Sequence, residues 1–598
     1  MVTAALSRRK LCRSRLRRLW AGNWGASPLS IGRASAGRFN ILLDIGPPSG
    51  LGKGVKKFHH PRLSSRLGLL HLVLILTLQS IHAGSATWNL NPASGDWNVP
   101  GNWNPATVPD GPDDTATFAV SNTTRVFLSD VAQIDGIVFS PGASGFTITS
   151  KPPSALTISG LGITNESGII QNFVADVAAI AAGQLAIFFE NSATAGDDTR
   201  FEVRGADVPE HGGSAIYFSG TSSGGTGTFT VNGAAIVNGG SSSYGVVFFS
   251  GNSTAASGTF TNNGGTISSA PGGVTQFADS STGASATIIS NGGGVSGARP
   301  GVVDFGGTSS AGNAELVANR GHGAEGGVIS FSGDSTGGTA RVAVFGNGNL
   351  DLSFHNAPGV SIGSIQGNGV VLLGGNNLTV GSNNRDTTFS GVIRNGGSNG
   401  GGGGDGGSFT KTGTGRLVLA SHNLYTGGTT IQSGELLVNN TSDSGTGRGA
   451  VSVEGGTLGG AGTIAGAVSI GTGGGSGAFL SPGKNAVAPR TLTIQGSLTF
   501  HSDATYNCDV NSDTAAADEV VADGVTIDAA ALFSFVDAHA NDLTPGTTFT
   551  VISNTAATPI NGTFNTLPDG STFIVGSNTF QANYEGGDGN DLTLTVVP

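Results

Sequence analysis

The sequence predicts an all-β protein: a single-stranded right-handed parallel β-helix (β-solenoid) with an N-terminal cap and a C-terminal antiparallel β cap. Three observations lead there. Glycine supplies 102 of 598 residues and only 11% are charged, yet Val, Ile, Leu and Phe recur in short alternating runs. A disordered Gly/Ser chain has no such runs to bury, and no Gly-X-Y period points to collagen. Glycine instead serves turns that need positive φ, while β-branched and aromatic residues fill strands. An internal repeat of roughly 28 residues forms the second observation, set out below. The third is that only Cys12 and Cys508 occur. Two cysteines so placed give neither a disulfide framework nor a Cys-based zinc cluster, so stability has to come from continuous main-chain pairing.

Charge divides the chain. Residues 1–66 hold 14 of the 28 Lys and Arg but only one of the 39 acids, Asp44, leaving 14 basic and 38 acidic residues beyond them, a net charge of −24. The basic stretch runs into the apolar segment Leu67-Gly-Leu-Leu-His-Leu-Val-Leu-Ile-Leu-Thr-Leu78, then small residues around Ala83 and Ala86. Charged, apolar and small-residue segments in that order make a secretory signal, and the apolar run is too short to span a bilayer. Residues 1–66 are therefore expected to be a basic leader or a mis-assigned upstream region, and 67–83 the signal's apolar region and cleavage site. The cluster of Arg8, Arg9, Lys10, Arg13, Arg15, Arg17 and Arg18 resembles a nucleic-acid patch. It has no fold around it and an export signal further along the chain, so no nucleic acid is expected as a partner.

Residues 84–160 are expected to form the N-terminal cap and first coils. Trp88, Trp97 and Trp103 cluster there, either to stack on sugars or to cover the open end of the first coil; a solenoid's terminal repeat needs such cover, and the cap reading is preferred.

Residues 161–394 carry the repeat. Phe189, Phe218, Phe249, Phe277, Phe305 and Phe331 each close a three-residue anchor, such as Ile216-Tyr-Phe218 or Val303-Asp-Phe305, and are followed by a Ser/Gly/Thr turn. A second strand follows, such as Gly227-Thr-Phe229-Thr-Val231 or Gly258-Thr-Phe260, and then a short third one, for example Ala235-Ile-Val237. Such a unit leaves its strand edges unpaired until the next coil stacks on it at ~4.8 Å, so equivalent inward residues form ladders. A propeller of this period lacks its expected Trp-Asp signature here. Residues 395–407 form a Gly-rich loop.

After that loop stands Phe409-Thr-Lys411-Thr-Gly413-Thr-Gly415-Arg-Leu417-Val-Leu419, continued by Asn423-Leu-Tyr425-Thr-Gly427-Gly428 and Gly434-Glu-Leu436-Leu-Val438. Leu417, Leu419, Ile431, Leu436 and Val438 alternate as half-buried strands require. Residues 408–440 closely resemble the autotransporter-associated β-strand repeat, whose pattern runs Lys-x-Gly-x-Gly-x-Leu-x-Leu, Asn-x-Tyr-x-Gly-x-Thr, Gly-x-Leu. His422 stands where the family usually has a small residue. Residues 441–500, with Gly455-Gly-Thr-Leu and Leu480-Ser-Pro-Gly483, resemble the coils that follow such repeats. The resemblance implies a β-helical passenger of a Gram-negative bacterium, secreted or at the cell surface and associated with the outer membrane. It implies structural roles for Asn423 and Tyr425. Autotransporters carry their own C-terminal barrel, and the residues after Asn440 are too few for one. A separate secretion machinery is therefore expected, with no transmembrane segment in the mature chain.

No catalytic, cofactor-binding or metal-binding residue stands out, and no cofactor is expected. β-Helical polysaccharide lyases need a basic proton abstractor beside clustered carboxylates, and glycoside hydrolases need two facing carboxylates. Lys151, Lys411 and Lys484 lie far apart, and the pairs Asp113-Asp114, Asp197-Asp198 and Asp518-Glu519 sit in turn-like contexts. Gly586-Gly-Asp588-Gly-Asn-Asp591 resembles a calcium-binding nonapeptide, but a hairpin turn accounts for it better. The chain is thus read as a structural or adhesive exported protein and not an enzyme, with extracellular glycans or neighbouring surface proteins as partners. The alternative is a carbohydrate-active β-helix enzyme. Residues 501–598 hold alternating strands such as Ala531-Leu-Phe-Ser-Phe-Val536 and Thr547-Thr-Phe-Thr-Val-Ile552 between short turns, and are expected to be the antiparallel cap.

Overall fold

The computed structural model describes residues 84–598 apart from 178–184, 238–242, 398–403, 476, 485–488, 538 and 540. The leader at 1–66, the signal at 67–83 and the middle of the Gly-rich loop thus lie outside the described residues. The rest is a stack of parallel coils, as the repeat predicts. The first sheet has 14 strands. It starts with Trp103–Asn104, antiparallel to Ala86–Trp88, and continues in parallel to Val392–Arg394. A second sheet climbs beside it from Arg125–Phe127 to Leu532–Asp537. Among the described residues no ladder joins these two end strands, so the second sheet is open.

Ring stacking sets the register. Phe189, Phe218, Phe249, Phe277 and Phe305 follow one another at 4.6–4.8 Å between ring centroids, and Phe331 ends the column at 5.1 Å. That repeat is the spacing of neighbouring strands. A second column on the facing sheet, Phe173, Phe201, Phe229 and Phe260, stacks at 4.5–5.0 Å. The two columns meet edge-on, with Phe218 and Phe229 at 5.9 Å and Phe249 and Phe260 at 5.7 Å. Where the columns overlap, from Phe189 to Phe260, rings stack along the axis and meet an edge-on neighbour across the core, the geometries aromatic quadrupoles favour.

Polar ladders run parallel to the aromatic ones. Asn232, Asn263, Asn291 and Asn319 occupy equivalent turn positions, and the last three each donate from the side-chain amide to the amide oxygen of the coil before at 2.9–3.0 Å. The turn after each Phe anchor needs a left-handed residue, supplied as Asn191, Gly220, Gly251, Asp279, Gly307 and Gly333 with φ between +53° and +68°. Asn and Asp are the side chains that tolerate this region best.

The expected third strand at Ala235–Val237 is not a strand. Ile236 packs in a small cluster with Ala206, Ala234 and Ala270, and Val237 is exposed. Three residues between Gly turns bury too little to hold a ladder. The third side of the early coils is instead a column of single-residue bridges through Thr194, Ser223, Thr254, Thr282, Ser310 and Thr336. It widens into a full eight-stranded parallel sheet only from Gly359–Ile362 onward, ending at Val525–Ile527.

The Trp-rich start is a cap. Trp88, Trp97 and Trp103 are each at most 1% exposed, and their rings close on Phe118 at 5.6–6.0 Å. Their indole N–H groups donate to the main-chain carbonyls of Thr123, Pro109 and Trp97. No ring face is left for a sugar.

At the other end, parallel stacking runs past residue 501, where the cap is expected to begin. Ala504–Asn511 pairs in parallel with Ala478–Pro482 and Leu532–Asp537, and Glu519–Ala522 with Thr548–Asn554. Apart from the two-residue pairing of Val510–Asn511 with Ala516–Ala517, antiparallel pairing takes over where Thr548–Asn554 meets Asp591–Val597, continued by Asn578–Gly586 and Thr572–Val575. The expected strands exist, but alternation of period two does not tell parallel from antiparallel; the long connections between them make the early ones parallel.

Candidate functional site

The module at 408–440 is where the coil changes architecture. Ser408–Lys411 and Thr429–Ile431 are consecutive rungs of the third sheet, while Arg416–Leu419 and Glu435–Val438 are consecutive rungs of the second. Phe409, Leu417, Leu419, Ile431, Leu436 and Val438 point inward and are buried. The first sheet stops at Val392–Arg394, and a side chain continues it. Asn423 Oδ1 accepts the N–H of Ile393 at 2.7 Å, and Asn423 Nδ2 donates to the carbonyl of Gly445 at 2.6 Å. Tyr425 is fully buried beneath the same turn, its hydroxyl 2.6 Å from Thr429 Oγ1. Burial pushes its phenol well above the usual range. Both residues hold structure, in line with the roles the repeat implies; His422 does nothing notable in this turn.

Lys411 is the residue sequence reasoning missed. It occupies an inward slot of the third sheet between Val380 and Ile431, is 1% exposed, and donates from Nζ to the carbonyls of Thr412, Gly413 and Ser433 at 2.7–3.2 Å. Burial lowers its pKa to about 8, against the upward pull of Glu435 and Asp386. The cage closes on glycine. Gly413 and Gly434 both adopt positive φ, and a Cβ on Gly434 would lie 2.3 Å from the Gly413 carbonyl and 2.7 Å from Lys411 Nζ. The signal available in the sequence is the Lys-x-Gly spacing itself.

The other chemistry-bearing residues are dispersed. Lys151 is exposed and Lys484 pairs with Glu435 at 3.1 Å. Asp114 accepts the N–H groups of Asp110 and Gly111, Asp198 sits in a left-handed turn, and buried Asp518 accepts those of Arg490 and Asp509. Burial raises Asp518 to about 7, against those two hydrogen bonds. Gly586–Gly589 is the hairpin turn between Asn578–Gly586 and Asp591–Val597, and Asp591 accepts the N–H of Asn554 at 2.8 Å. Among the described residues no three His, Cys, Asp or Glu side chains converge on a metal-sized site.

The outer face of the second sheet carries ion pairs between neighbouring coils, Glu315 with Arg341 at 3.3 Å and Asp386 with Arg416 at 3.4 Å. A shallow depression of about 390 Å³ lies there, lined by Gln366, Gly367, Asp386, Thr387, Thr388 and Arg416. Asp386 is its single carboxylate and already faces a guanidinium, so the depression lacks the opposed carboxylates of glycoside hydrolysis. Between Arg200 and Glu315 in the same ladder the outward positions of three coils are uncharged, with Thr228, Thr259 and Thr287 in register and Thr230 beside Thr261.

Coils, cap and splice together define an all-β, passenger-like β-helical protein. Within it, residues 409–438 match the family model described as the passenger-associated-transport-repeat, so the chain carries one such repeat. No curated protein sequence matches the chain. Among solved structures it is similar to the crystal structure of the Haemophilus influenzae Hap adhesin, with 11% identity and a TM-score of 0.24, over 81% of this chain and 63% of that one. The chain therefore spans less than two thirds of that structure. Among the described residues no helix is long and apolar enough to cross a membrane, which says nothing of membrane strands.

Proposed function

We propose that this chain is an exported, non-enzymatic protein, secreted or held at the cell surface in association with the outer membrane, with a structural or adhesive role. Its secretion machinery is separate, and its partners are extracellular glycans or neighbouring surface proteins. The observation that carries the reading is the splice at Asn423. A transport-associated repeat lies within the stack of coils, and its hallmark side chains are spent on holding coils together. The registered threonines at 228, 259 and 287 support a contact role, since a row of hydroxyls repeating with the strand spacing offers hydrogen bonds to an extended, hydroxyl-rich ligand. Fractionation of the host followed by N-terminal sequencing tests the export half. The chain is expected outside the cytoplasm with a mature start near Gly84 or Thr87; an intact N-terminus recovered from the cytoplasm would sink it. Binding of the purified chain to host extracellular polysaccharide, compared with a variant in which Thr228, Thr259 and Thr287 are all valine, tests the adhesive half.

A further inference from the structure

Solenoids leave strand edges at both ends, and edges left bare are templates for pairing with another chain. This protein covers them one by one. At the N-terminal end the first sheet finishes in the two-residue strand Trp103–Asn104 followed by Pro105, and the edge of the second sheet is covered by bonds between Phe127 and the loop at Gly95 and Trp97. In mid-chain Asn423 and Leu424 cover Ile393. At the C-terminal end Asn561 bonds both Val525 and Ile527, Asn565 bonds Ala531, and the hydroxyl of Thr566 accepts from the N–H of Phe533 and donates to its carbonyl.

Thr572–Val575, the end strand of the seven-stranded sheet that contains Glu519–Ala522, Thr548–Asn554 and the C-terminal hairpins, has no such cover among the described residues. It pairs on one side only, antiparallel to Asn578–Gly586. Ala582 donates to the Ser571 carbonyl at 2.9 Å, so residues 571, 573 and 575 face the partner strand, and Thr572 and Ile574 direct their N–H and C=O groups to the open side. The Ile574 side chain is 72% exposed, the largest exposure of any large hydrophobic residue described. The strand is short, but the segment 569–579 contains no Pro, Lys or Arg, and the register from Thr572 to Val575 runs without a bulge.

Charge narrows the occupant. Residues 501–598 contain 13 Asp and Glu and no Lys or Arg. Asp569 stands just before the open strand, and Asp542, which accepts from Ser577, stands just after it. A second copy pairing edge to edge would bring like charges together at both ends, which is destabilising.

We propose that Thr572–Val575 is a docking edge for an extended segment of another polypeptide. That segment adds as a further β-strand, bonded through the main chain of Thr572 and Ile574, with an apolar or β-branched residue against Ile574 and Lys or Arg at its ends. The mode is strand addition, in which main-chain bonds supply affinity and alternate side chains supply selectivity. The docking stands independently of where the protein resides.

The test uses the full chain and labelled peptides. Lys-Val-Thr-Val-Thr-Val-Lys is expected to bind at least about tenfold more tightly than its Glu-ended counterpart, with the difference shrinking in high salt. Ile574→Pro removes an N–H that the fold does not use, a position where edge strands accept proline, and is expected to abolish binding with an unchanged urea midpoint. Ile574→Lys, altering only an exposed side chain, is the second variant should proline disturb the hairpin, and is also expected to weaken binding of the Lys-ended peptide. Equal affinity for the two peptides, undiminished binding by both variants, or no saturation by about 1 mM peptide would overturn the proposal. So would sedimentation of the chain as a dimer that Ile574→Pro converts to monomer, because the edge would then belong to a second copy.

Discussion

Asn423 holds Ile393 by its main chain: the side-chain Oδ1 accepts the Ile393 N–H at 2.7 Å across an interval of 30 residues. The first sheet ends at that strand, and one amide takes the place of the next one, passing the ladder on to Gly445 through its Nδ2. Asn423→Ala leaves a buried donor and a buried acceptor unpaired, each costing about 1–3 kcal/mol. The expected loss is therefore about 2–6 kcal/mol in urea unfolding. Loss of less than about 0.5 kcal/mol, the scale of an ordinary surface change, would mean that water or a neighbouring group fills the gap.

Lys411 predicts a rise of stability with pH. Its pKa is lowered to about 8 in the folded chain, against about 10.4 unfolded. Between these values the unfolded state binds the extra proton, so stability increases as pH rises and the increase is lost as pH falls through about 8. Lys411→Met keeps an unbranched apolar stem and removes the titration. The wild-type minus variant difference in urea midpoint is expected to climb between about pH 8 and 10. A flat difference would place the ammonium in water rather than beneath the carbonyls of Thr412, Gly413 and Ser433.

Asp518 predicts the opposite slope at lower pH. Its carboxyl is raised to about 7 by burial, above the unfolded value of about 3.9. The folded state then holds the proton that the unfolded state releases, so its contribution is fully present below about pH 4 and is lost as pH rises through about 7. Asp518→Asn stays neutral and is expected to flatten that fall. Midpoints at pH 4, 5.5 and 7 check it, and parallel curves for the two proteins would contradict it.

The phenylalanine column carries much of the core. Phe277 is fully buried, with rings of Phe249 and Phe305 on either side at 4.8 and 4.6 Å. Phe277→Ala is expected to cost roughly 3–5 kcal/mol, the usual penalty for deleting a buried aromatic side chain. Chemical denaturation measures it, and a negligible change would separate stability from the ladder.

These residues differ in how openly the sequence displays them. The Phe anchors are legible because one large apolar letter recurs at a nearly constant interval, and stacking demands that interval. Lys411 is hidden because a charged letter in a strand normally marks the solvent face; its burial depends on three carbonyls that only turn geometry brings together. The column from Thr194 to Thr336 is hidden for another reason, since a bridge one residue long has no alternation to read. Asn423 and Tyr425 are legible as a pattern through the repeat they belong to, but the bond to Ile393 spans a loop that sequence spacing does not measure. The strand at Leu532–Asp537 shows its alternation plainly and conceals its direction.

Truncation tests what the C-terminal hairpins protect. Removing residues 555–598 strips Asp591–Val597 from its antiparallel partner Thr548–Asn554, takes Asn561 off the edge of Val525–Ile527, and takes Asn565 and Thr566 off that of Leu532–Asp537. It also removes Phe564, whose ring lies 5.0–6.2 Å from those of Phe500, Tyr506 and Phe533, so aromatic surface is bared beside three open edges. Exposed edges with apolar flanks pair between molecules. The truncated chain is expected to sediment as oligomers or aggregate at concentrations where the full chain is monodisperse, while keeping its β-sheet circular dichroism. If it remains a soluble monomer, the last parallel coil is self-sufficient and the hairpins are not a guard against association; loss of the dichroism would show instead that the coils below depend on them for folding.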